Sequence, residues 1–344
     1  DVYKRQSINN ISSITQKGST IEGTFASSFG RSVSLSSNGL ILAIGAPSGG
    51  GGIGYVKVYE FTNGIWNQKG NTIDGREGQT NNFGSSVSLS DNGSILAVGA
   101  PSYFSSAGPY VKVYQFLTNN WGEYGGNQQI LVGEPGVPNI QAGSGYGVAV
   151  SLSGNGTILA VGASSFNTNT GYVKVYELSY NTGLWSEKGN RLDGESSNES
   201  FGSSLSISND GLIVAAGAYG WQGASGYVKV YEFNGSIYSL KANKISGTSG
   251  SWFGYSISLS NNGLILAVGA YGSGYAYMYE FNGTEYSLKG QQLNGSNGYG
   301  GSISLSADGL TLAIGQLGSI PGVGSALVYK FINNIWTQKG PVIT

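Results

Sequence analysis

The chain has 344 residues with 17 basic and 18 acidic side chains, 59 glycines, and neither cysteine nor histidine. This near-neutral balance offers no basic face for nucleic acid or an anionic membrane, and no apolar run is long enough to span a bilayer. The missing residue types exclude disulfides, Cys/His zinc sites and histidine-based triads, so any catalysis would depend on carboxylates. Abundant glycine with 12% aromatic residues is typical of many short strands joined by tight turns.

One twenty-residue phrase, FGSSVSLSDNGSILAVGAPS at residues 83–102, organises the chain because it occurs six times. Its copies begin near residues 29, 83, 146, 201, 253 and 299, so their spacing runs from 46 (299−253) to 63 (146−83). The phrase reads as a β-hairpin: a strand alternating Ser with Val or Leu, an Asn-Gly or Asp-Gly turn, and a nearly all-apolar strand. A hairpin repeated at this spacing is typical of the blades of a β-propeller.

Two further strands follow each phrase. The third is rich in Tyr and Val, as in YVKVYE at residues 55–60, and the fourth begins at an aromatic residue and contains a Lys-Gly pair, as in WNQKG at 66–70. Residues 1–28 repeat only the end of this pattern, so they are interpreted as the outer strands of a partial blade. The sequence thus predicts an all-β, single-domain β-propeller over residues 1–344, with four-stranded antiparallel blades and a ring closed by six or seven of them.

The lysine of the fourth strand is interpreted as a charge that keeps an exposed sheet edge from pairing with another molecule. It stands at Lys69, Lys188, Lys241, Lys289 and Lys339.

The loops sort into two classes. The turns between strands one and two are short and uniform, whereas the loops between strands two and three, and between blades, vary and are expected to carry function. Exposed rings in these variable loops suit protein contact or sugar stacking, with capping of the blade tops as the alternative. The candidate binding residues are Tyr103, Phe104, Phe166, Tyr219, Trp221 and Tyr271. Arg31 and Arg191 are assigned no role.

The phrase FG…LAVGAP, with the tryptophan-led WNQKG strand before it, resembles the FG-GAP repeat, the blade unit of integrin-α-like propellers. The resemblance implies an extracellular or cell-surface propeller that binds partners and often carries calcium in its first turns. Here those turns contain only Asp91, Asp210 and Asp308, which would serve a hard cation poorly. No metal, cofactor or catalytic residue is therefore predicted.

The prediction for function is a non-enzymatic extracellular or cell-surface adhesion module that recognises a protein or glycan. The alternative is a filament-type subunit that binds copies of itself by donating a surplus terminal strand. Acidic clusters at residues 74–77 and 193–195 recur at one repeat position, so they are interpreted as part of the repeat rather than as a hydrolase site. Nucleic acid and membrane insertion are excluded as partners.

Overall fold

The computed structural model describes residues 14–76, 80–102, 108–125, 129–134, 144–296, 298–317 and 324–344. It is an all-β, six-bladed β-propeller in which each blade is a four-stranded antiparallel sheet, as the repeat predicts. In blades 1 to 5 a short fifth strand pairs with the third strand beyond the end of the fourth, so it continues the outer edge.

The strands follow one another blade by blade. Blade 1 contains β1 (Ser32–Leu35), β2 (Ile41–Ala46), β3 (Tyr55–Thr62), β4 (Ile65–Gln68) and β5 (Ile73–Asp74). Blade 2 contains β6 (Ser86–Leu89), β7 (Ile95–Ala100), β8 (Tyr110–Leu117), β9 (Asn120–Glu123) and β10 (Leu131–Val132). Blade 3 contains β11 (Tyr146–Leu152), β12 (Ile158–Ala163), β13 (Tyr172–Leu178), β14 (Trp185–Glu187) and β15 (Leu192–Asp193).

The second half of the chain repeats this order. Blade 4 contains β16 (Ser204–Ile207), β17 (Ile213–Ala218), β18 (Tyr227–Phe233), β19 (Tyr238–Leu240) and β20 (Ile245–Ser246). Blade 5 contains β21 (Phe253–Leu259), β22 (Ile265–Ala270), β23 (Tyr275–Phe281), β24 (Tyr286–Leu288) and β25 (Leu293–Asn294). Blade 6 contains β26 (Tyr299–Leu305), β27 (Thr311–Gln316), β28 (Ser325–Ile332) and β29 (Ile335–Gln338). Single helical turns follow the second strand of three blades: α1 (Gly49–Gly52), α2 (Phe166–Asn169) and α3 (Trp221–Ala224). Among the described residues, no helix is both long and apolar enough to cross a membrane.

The inner strands hold neighbouring blades together through serine and glycine. Ser86 Oγ donates to the carbonyl oxygen of Gly147 in the next blade at 2.8 Å. A methyl group on Gly99 would lie 2.0 Å from that same oxygen, so only glycine permits this approach. The Ser and Gly-Ala positions of the phrase therefore encode packing between blades.

The outer lysines correct the interpretation of the fourth strand as a charged, exposed edge. The Lys69 side chain is only 14% exposed; its Nζ lies 3.0 Å from Glu60 and 4.3 Å from the centre of the Phe116 ring in blade 2. The Trp121 indole N–H donates to the Lys69 carbonyl oxygen at 2.8 Å. This lysine therefore covers the seam between two blades, with its charge paired inside its own sheet.

The described part of the N-terminal partial blade packs against blade 1 in the same way. The Trp66 indole N–H donates to the Lys17 carbonyl oxygen at 2.8 Å, and Lys17 Nζ lies 4.6 Å from the Phe61 ring centre. At the other end of the chain, β29 pairs with β28, and Ile343 continues this edge of blade 6. The described terminal segments at both ends are thus engaged within the chain.

Five apolar cores lie between consecutive blades, from blades 1 and 2 to blades 5 and 6. Among the described residues no such core joins blade 6 to blade 1. Val33 of blade 1 is accordingly 61% exposed, whereas its equivalent in blade 2, Val87, is 8% exposed. The centre of the propeller is therefore open on this side.

Candidate functional site

The six inner strands surround a central channel of about 680 Å³. Its wall consists mainly of serine, glycine and small apolar residues of these strands, as expected where six sheets converge. A wall that mixes hydroxyl groups with small apolar side chains suits a small ligand that has both polar and apolar parts.

One position of the repeat gives the channel its individual chemistry. The residue that follows the aromatic-Gly pair of the phrase lines the channel in five of the six blades. Its identity changes from blade to blade, while the residues on either side of it repeat. In blade order it is Arg31, Ser85, Val148, Ser203, Tyr255 and Gly301, of which Ser203 alone is outside the lining. Arg31 is the one ionised side chain among the described lining residues. It is exposed and belongs to none of the ion pairs that the described residues form.

Tyr255 joins the channel to a group of four aromatic rings that we call the aromatic shelf: Tyr219, Trp252, Tyr255 and Tyr271. The ring centres of Tyr255 and Tyr271 lie 4.8 Å apart with planes 22° from parallel, and Trp252 stacks on Tyr271 at 5.5 Å. Tyr219 lies 5.4 Å from Tyr255. Stacked rings beside a polar channel present the flat apolar surface on which a sugar ring packs.

The electrostatics of Tyr255 make it a hydrogen-bond donor. Burial raises the pKa of its phenol above the usual value, although the positive charge of Arg31 lowers it in part. Tyr255 thus stays protonated at neutral pH, with a guanidinium close enough to affect its ionisation. Together the two groups can donate hydrogen bonds to an anion or a polarised carbonyl oxygen.

Blade 6 completes this side of the channel with two further departures from the repeat. Gly301 leaves room for the aromatic shelf, since a methyl group there would lie 3.0 Å from the Tyr271 ring. Gln316 stands where β2, β7, β12, β17 and β22 end in alanine, and its amide donates to the Ser296 hydroxyl. The unusual residues of blades 5 and 6 therefore lie on adjacent blades of the channel, and Arg31 of blade 1 lines the same channel across the open side.

The candidate residues predicted from the sequence occupy different places. Tyr219 and Tyr271 belong to the aromatic shelf, whereas Phe166 and Trp221 fold edge-on against Tyr172 and Tyr227 of their own blades. Tyr103 and Phe104 lie outside the described residues. A binding role for each remains a prediction.

Sequence reasoning missed Arg31, Trp252, Tyr255 and Gln316. The signal that could have found three of them is a residue that changes inside a phrase that otherwise repeats. Trp252 lies in a variable loop just before the phrase, where its ring could have been counted with the others.

Carboxylates do not line the channel among the described residues. The acidic cluster at residues 193–195 is engaged in ion pairs: Arg191 Nε lies 2.8 Å from Asp193, and Glu195 bridges Lys229 and Lys244 at 2.9 and 2.6 Å. Within the described ranges, no group of three or more acidic side chains could hold a metal ion. The channel can therefore bind, orient and polarise a ligand through cationic and neutral donors.

Comparisons with known proteins show the fold. No family model and no curated protein matches the sequence. Among solved structures, a protein of Bacteroides uniformis named for 6-phosphogluconolactonase activity superimposes with a TM-score of 0.64 and 11% identity, over 92% of this chain and 85% of its own. The periplasmic gluconolactonase of Pseudomonas aeruginosa superimposes with a TM-score of 0.63 and 15% identity, over 91% and 84%.

These findings overturn the predicted function. An integrin-like, FG-GAP adhesion module and a filament subunit were both wrong predictions, as was the exclusion of an enzyme, because these neighbours bear the names of lactonase enzymes. The physical reason is that the phrase specifies how blades pack, and one packing serves propellers of unrelated activity. The filament alternative also needed a free terminal strand, whereas the segments around Lys17 and Ile343 pack against the chain's own blades.

Proposed function

We propose that this propeller is a lactonase-type hydrolase that takes a sugar-acid lactone in its central channel. The observation that carries the proposal is that the cationic Arg31 and the protonated Tyr255 line one channel, with Arg31 close enough to lower the Tyr255 pKa in part, and that Tyr255 belongs to the aromatic shelf. The lactonase names of the two structural neighbours support the choice of substrate class.

The wall matches the parts of such a substrate. The apolar face of the sugar ring stacks on the aromatic shelf, and the serine hydroxyls of the inner strands meet the ring hydroxyls. The lactone carbonyl faces Arg31 and Tyr255, which both donate hydrogen bonds. A charged donor and a neutral donor together favour the oxyanion of the tetrahedral intermediate over the neutral carbonyl of the ground state.

The reaction consumes one water molecule. Water or hydroxide adds to the carbonyl carbon, the ring C–O bond breaks, and the departing oxygen takes a proton to give a hydroxy acid. At neutral pH the acid ionises and releases one proton for each lactone opened. Because the described channel wall contains no carboxylate, we assign its side chains to oxyanion stabilisation and leave proton transfer to solvent.

We further propose a location outside the cytoplasm, supported by the periplasmic gluconolactonase among the neighbours. The proposed ligand is a sugar derivative. It is closer to the glycan than to the protein among the two predicted partner classes, and it binds in the channel rather than at the outer loops.

The test is proton release from glucono-δ-lactone in a pH-stat, compared with the spontaneous rate. We expect Arg31→Ala to lower kcat/KM by about 10- to 150-fold, as for one lost charged hydrogen bond worth about 1.5–3 kcal/mol. Arg191→Ala is the matched control, because Arg191 pairs with Asp193 at the rim of blade 3. Its kcat/KM should equal that of the wild type.

Two results would defeat the proposal. One is a wild-type rate no faster than spontaneous hydrolysis across a panel of sugar lactones. The other is an equal loss of activity in the two arginine variants, which would show that the channel cation has no special part.

A further inference from the structure

The loop between the second and third strands has the same conformation in blades 1, 3 and 4. Each of these loops forms one helical turn, α1, α2 or α3, whose second and third residues have positive φ. In each, the first carbonyl oxygen of the turn accepts a hydrogen bond from a glycine five residues later: Gly49 from Gly54 at 2.9 Å, Phe166 from Gly171 at 3.1 Å, and Trp221 from Gly226 at 3.2 Å. The three turns are therefore equivalent, and their first residue can be compared directly.

In blade 3 that first residue is Phe166, and we call the space that its aromatic ring fills against Tyr172 the slot. The Phe166 ring stands edge-on to Tyr172, with 4.9 Å between ring centres. The guanidinium carbon of Arg191 lies 5.5 Å from the centre of the Phe166 ring, and its Nε lies 2.8 Å from Asp193. The slot thus holds a ring and a cation, and a carboxylate pairs with the cation.

Blade 4 fills its slot with different residues of the same chemistry. The Trp221 ring stands edge-on to Tyr227 at 5.4 Å, and Lys244 Nζ lies 4.1 Å from the Trp221 ring centre. Lys244 pairs with Glu195 at 2.6 Å. Two blades therefore place a ring and a paired cation at the same point by independent means.

Blade 1 lacks the aromatic side chain of the turn and the cation, and its own Tyr55 takes up part of the space: two carbons of the Tyr55 ring lie 2.4 Å from where a Cβ on Gly49 would be. Gly49 stands at the ring position, and Thr72 stands where blade 3 has Arg191, while Asp74 keeps the place of Asp193. A cavity of about 400 Å³ remains, lined by glycines together with Ile53, Tyr55 and Asp74. Within the described residues, Asp74 forms no ion pair.

We propose that this slot binds an arylalkylamine, a small molecule or exposed group that carries an aromatic ring and a nearby ammonium. The ring would lie in the remaining cavity against Tyr55, and the ammonium would pair with Asp74. The blades that fill their own slots indicate the chemistry of the occupant, a ring beside a cation. The site is separate from the channel, and the proposal does not depend on lactone hydrolysis.

Lys57 does not oppose this charge assignment, although its Nζ lies 5.7 Å from the Tyr55 ring centre. In blade 4 the equivalent Lys229 lies 5.5 Å from the Tyr227 ring while Lys244 lies 5.2 Å from that same ring. A strand lysine and a second cation therefore coexist around one tyrosine of this fold, where the carboxylate of Glu195 bridges them.

The experiment is calorimetric titration of the full chain with tryptamine, and with indole-3-propionate as an anion of similar shape. We expect saturable 1:1 binding of tryptamine alone. Asp74→Asn removes the carboxylate, and Thr72→Arg supplies the internal cation of blade 3, so each should weaken binding at least tenfold. Asp193→Asn makes the same change in the filled slot of blade 3 and should leave tryptamine binding unaltered.

Circular dichroism shows whether Asp74→Asn and Thr72→Arg fold. If one of them does not fold, the other is enough to test the proposal. The proposal is overturned by an absence of saturable tryptamine binding to the wild type. It is equally overturned by unchanged affinity in a folded Asp74 or Thr72 variant, or by indole-3-propionate binding as tightly as tryptamine.

Discussion

Gly70→Ala is expected to destabilise the propeller through the seam between blades 1 and 2. Gly70 has a φ of +77°, and a methyl group there would lie 2.9 Å from Cδ1 of Trp121 and 3.1 Å from Cε2 of Phe116. The left-handed backbone costs a non-glycine residue about 1 kcal/mol. Forcing a methyl group against two rings adds about 1–3 kcal/mol, because the seam is closely packed. The total loss in the free energy of unfolding is about 2–4 kcal/mol.

Gly64→Ala is the matched control for this prediction. Gly64 has a φ of +85° and nothing within 4 Å of the added methyl group, so it carries the backbone cost without the steric one. Urea unfolding followed by far-UV circular dichroism should therefore rank the midpoints as wild type, then Gly64→Ala, then Gly70→Ala. Equal midpoints for the two variants would refute the view that the rings of Trp121 and Phe116 exclude a side chain at position 70.

Three further outcomes follow from the channel and the rim. Tyr255→Phe should lower kcat/KM for the lactone by about 10²- to 10³-fold, the cost of one oxyanion donor. Because the pKa of Tyr255 is raised, the ratio of wild-type to variant kcat/KM should stay constant from pH 6 to 9. Steady-state rates in which this ratio changes with pH would contradict the assignment. Gly301→Ala pushes a methyl group against Tyr271, so KM should rise severalfold with little change in kcat; a loss confined to kcat would argue against a role in ligand fit. Partial burial raises the pKa of Glu195, hydrogen bonds from Lys244 and Lys229 lower it, and the net shift is downward. Its ion pairs therefore stabilise the fold above about pH 4.5 and lose this effect as the pH falls through the lowered pKa. Glu195→Gln should accordingly reduce the free energy of unfolding at pH 7 and leave it nearly unchanged at pH 3, which urea titrations at the two pH values would test.

The blade architecture was predictable because each blade is a local pattern. Alternation in residues 86–89, the apolar run at 95–100 and the Asn-Gly turns all act over a few residues, and six copies make chance agreement implausible. The outer lysines were harder to interpret, since the partner of Lys69 across the seam is Phe116, 47 residues away (116−69). Its environment depends on how two sheets stack, which a single strand does not reveal.

The site was predictable only in part for a related reason. Tyr219 and Tyr271 were selected as rings in variable loops, but their companion Tyr255 lies inside the repeated phrase, where the repeat itself concealed it. Arg31 was dismissed as an isolated charge because no second residue near it in the sequence suggests a partner. The structure brings it from blade 1 to the same channel as Tyr255 of blade 5.

The sequence by itself determined the all-β class and the blade unit, because hydrophobic alternation and turn chemistry are short-range properties of the chain. It left the number of blades in the ring at six or seven. Only the tertiary structure decided which departures from the repeat lie together. Rolling six hairpins around one axis places the same repeat position of five of the six blades at the channel, so residues more than 200 apart, such as Arg31 and Tyr255, come to line it together (255−31 = 224). The tertiary structure also decided that the terminal segments pack within the chain, since the N-terminal one is held by the hydrogen bond from the Trp66 indole N–H to the carbonyl oxygen of Lys17.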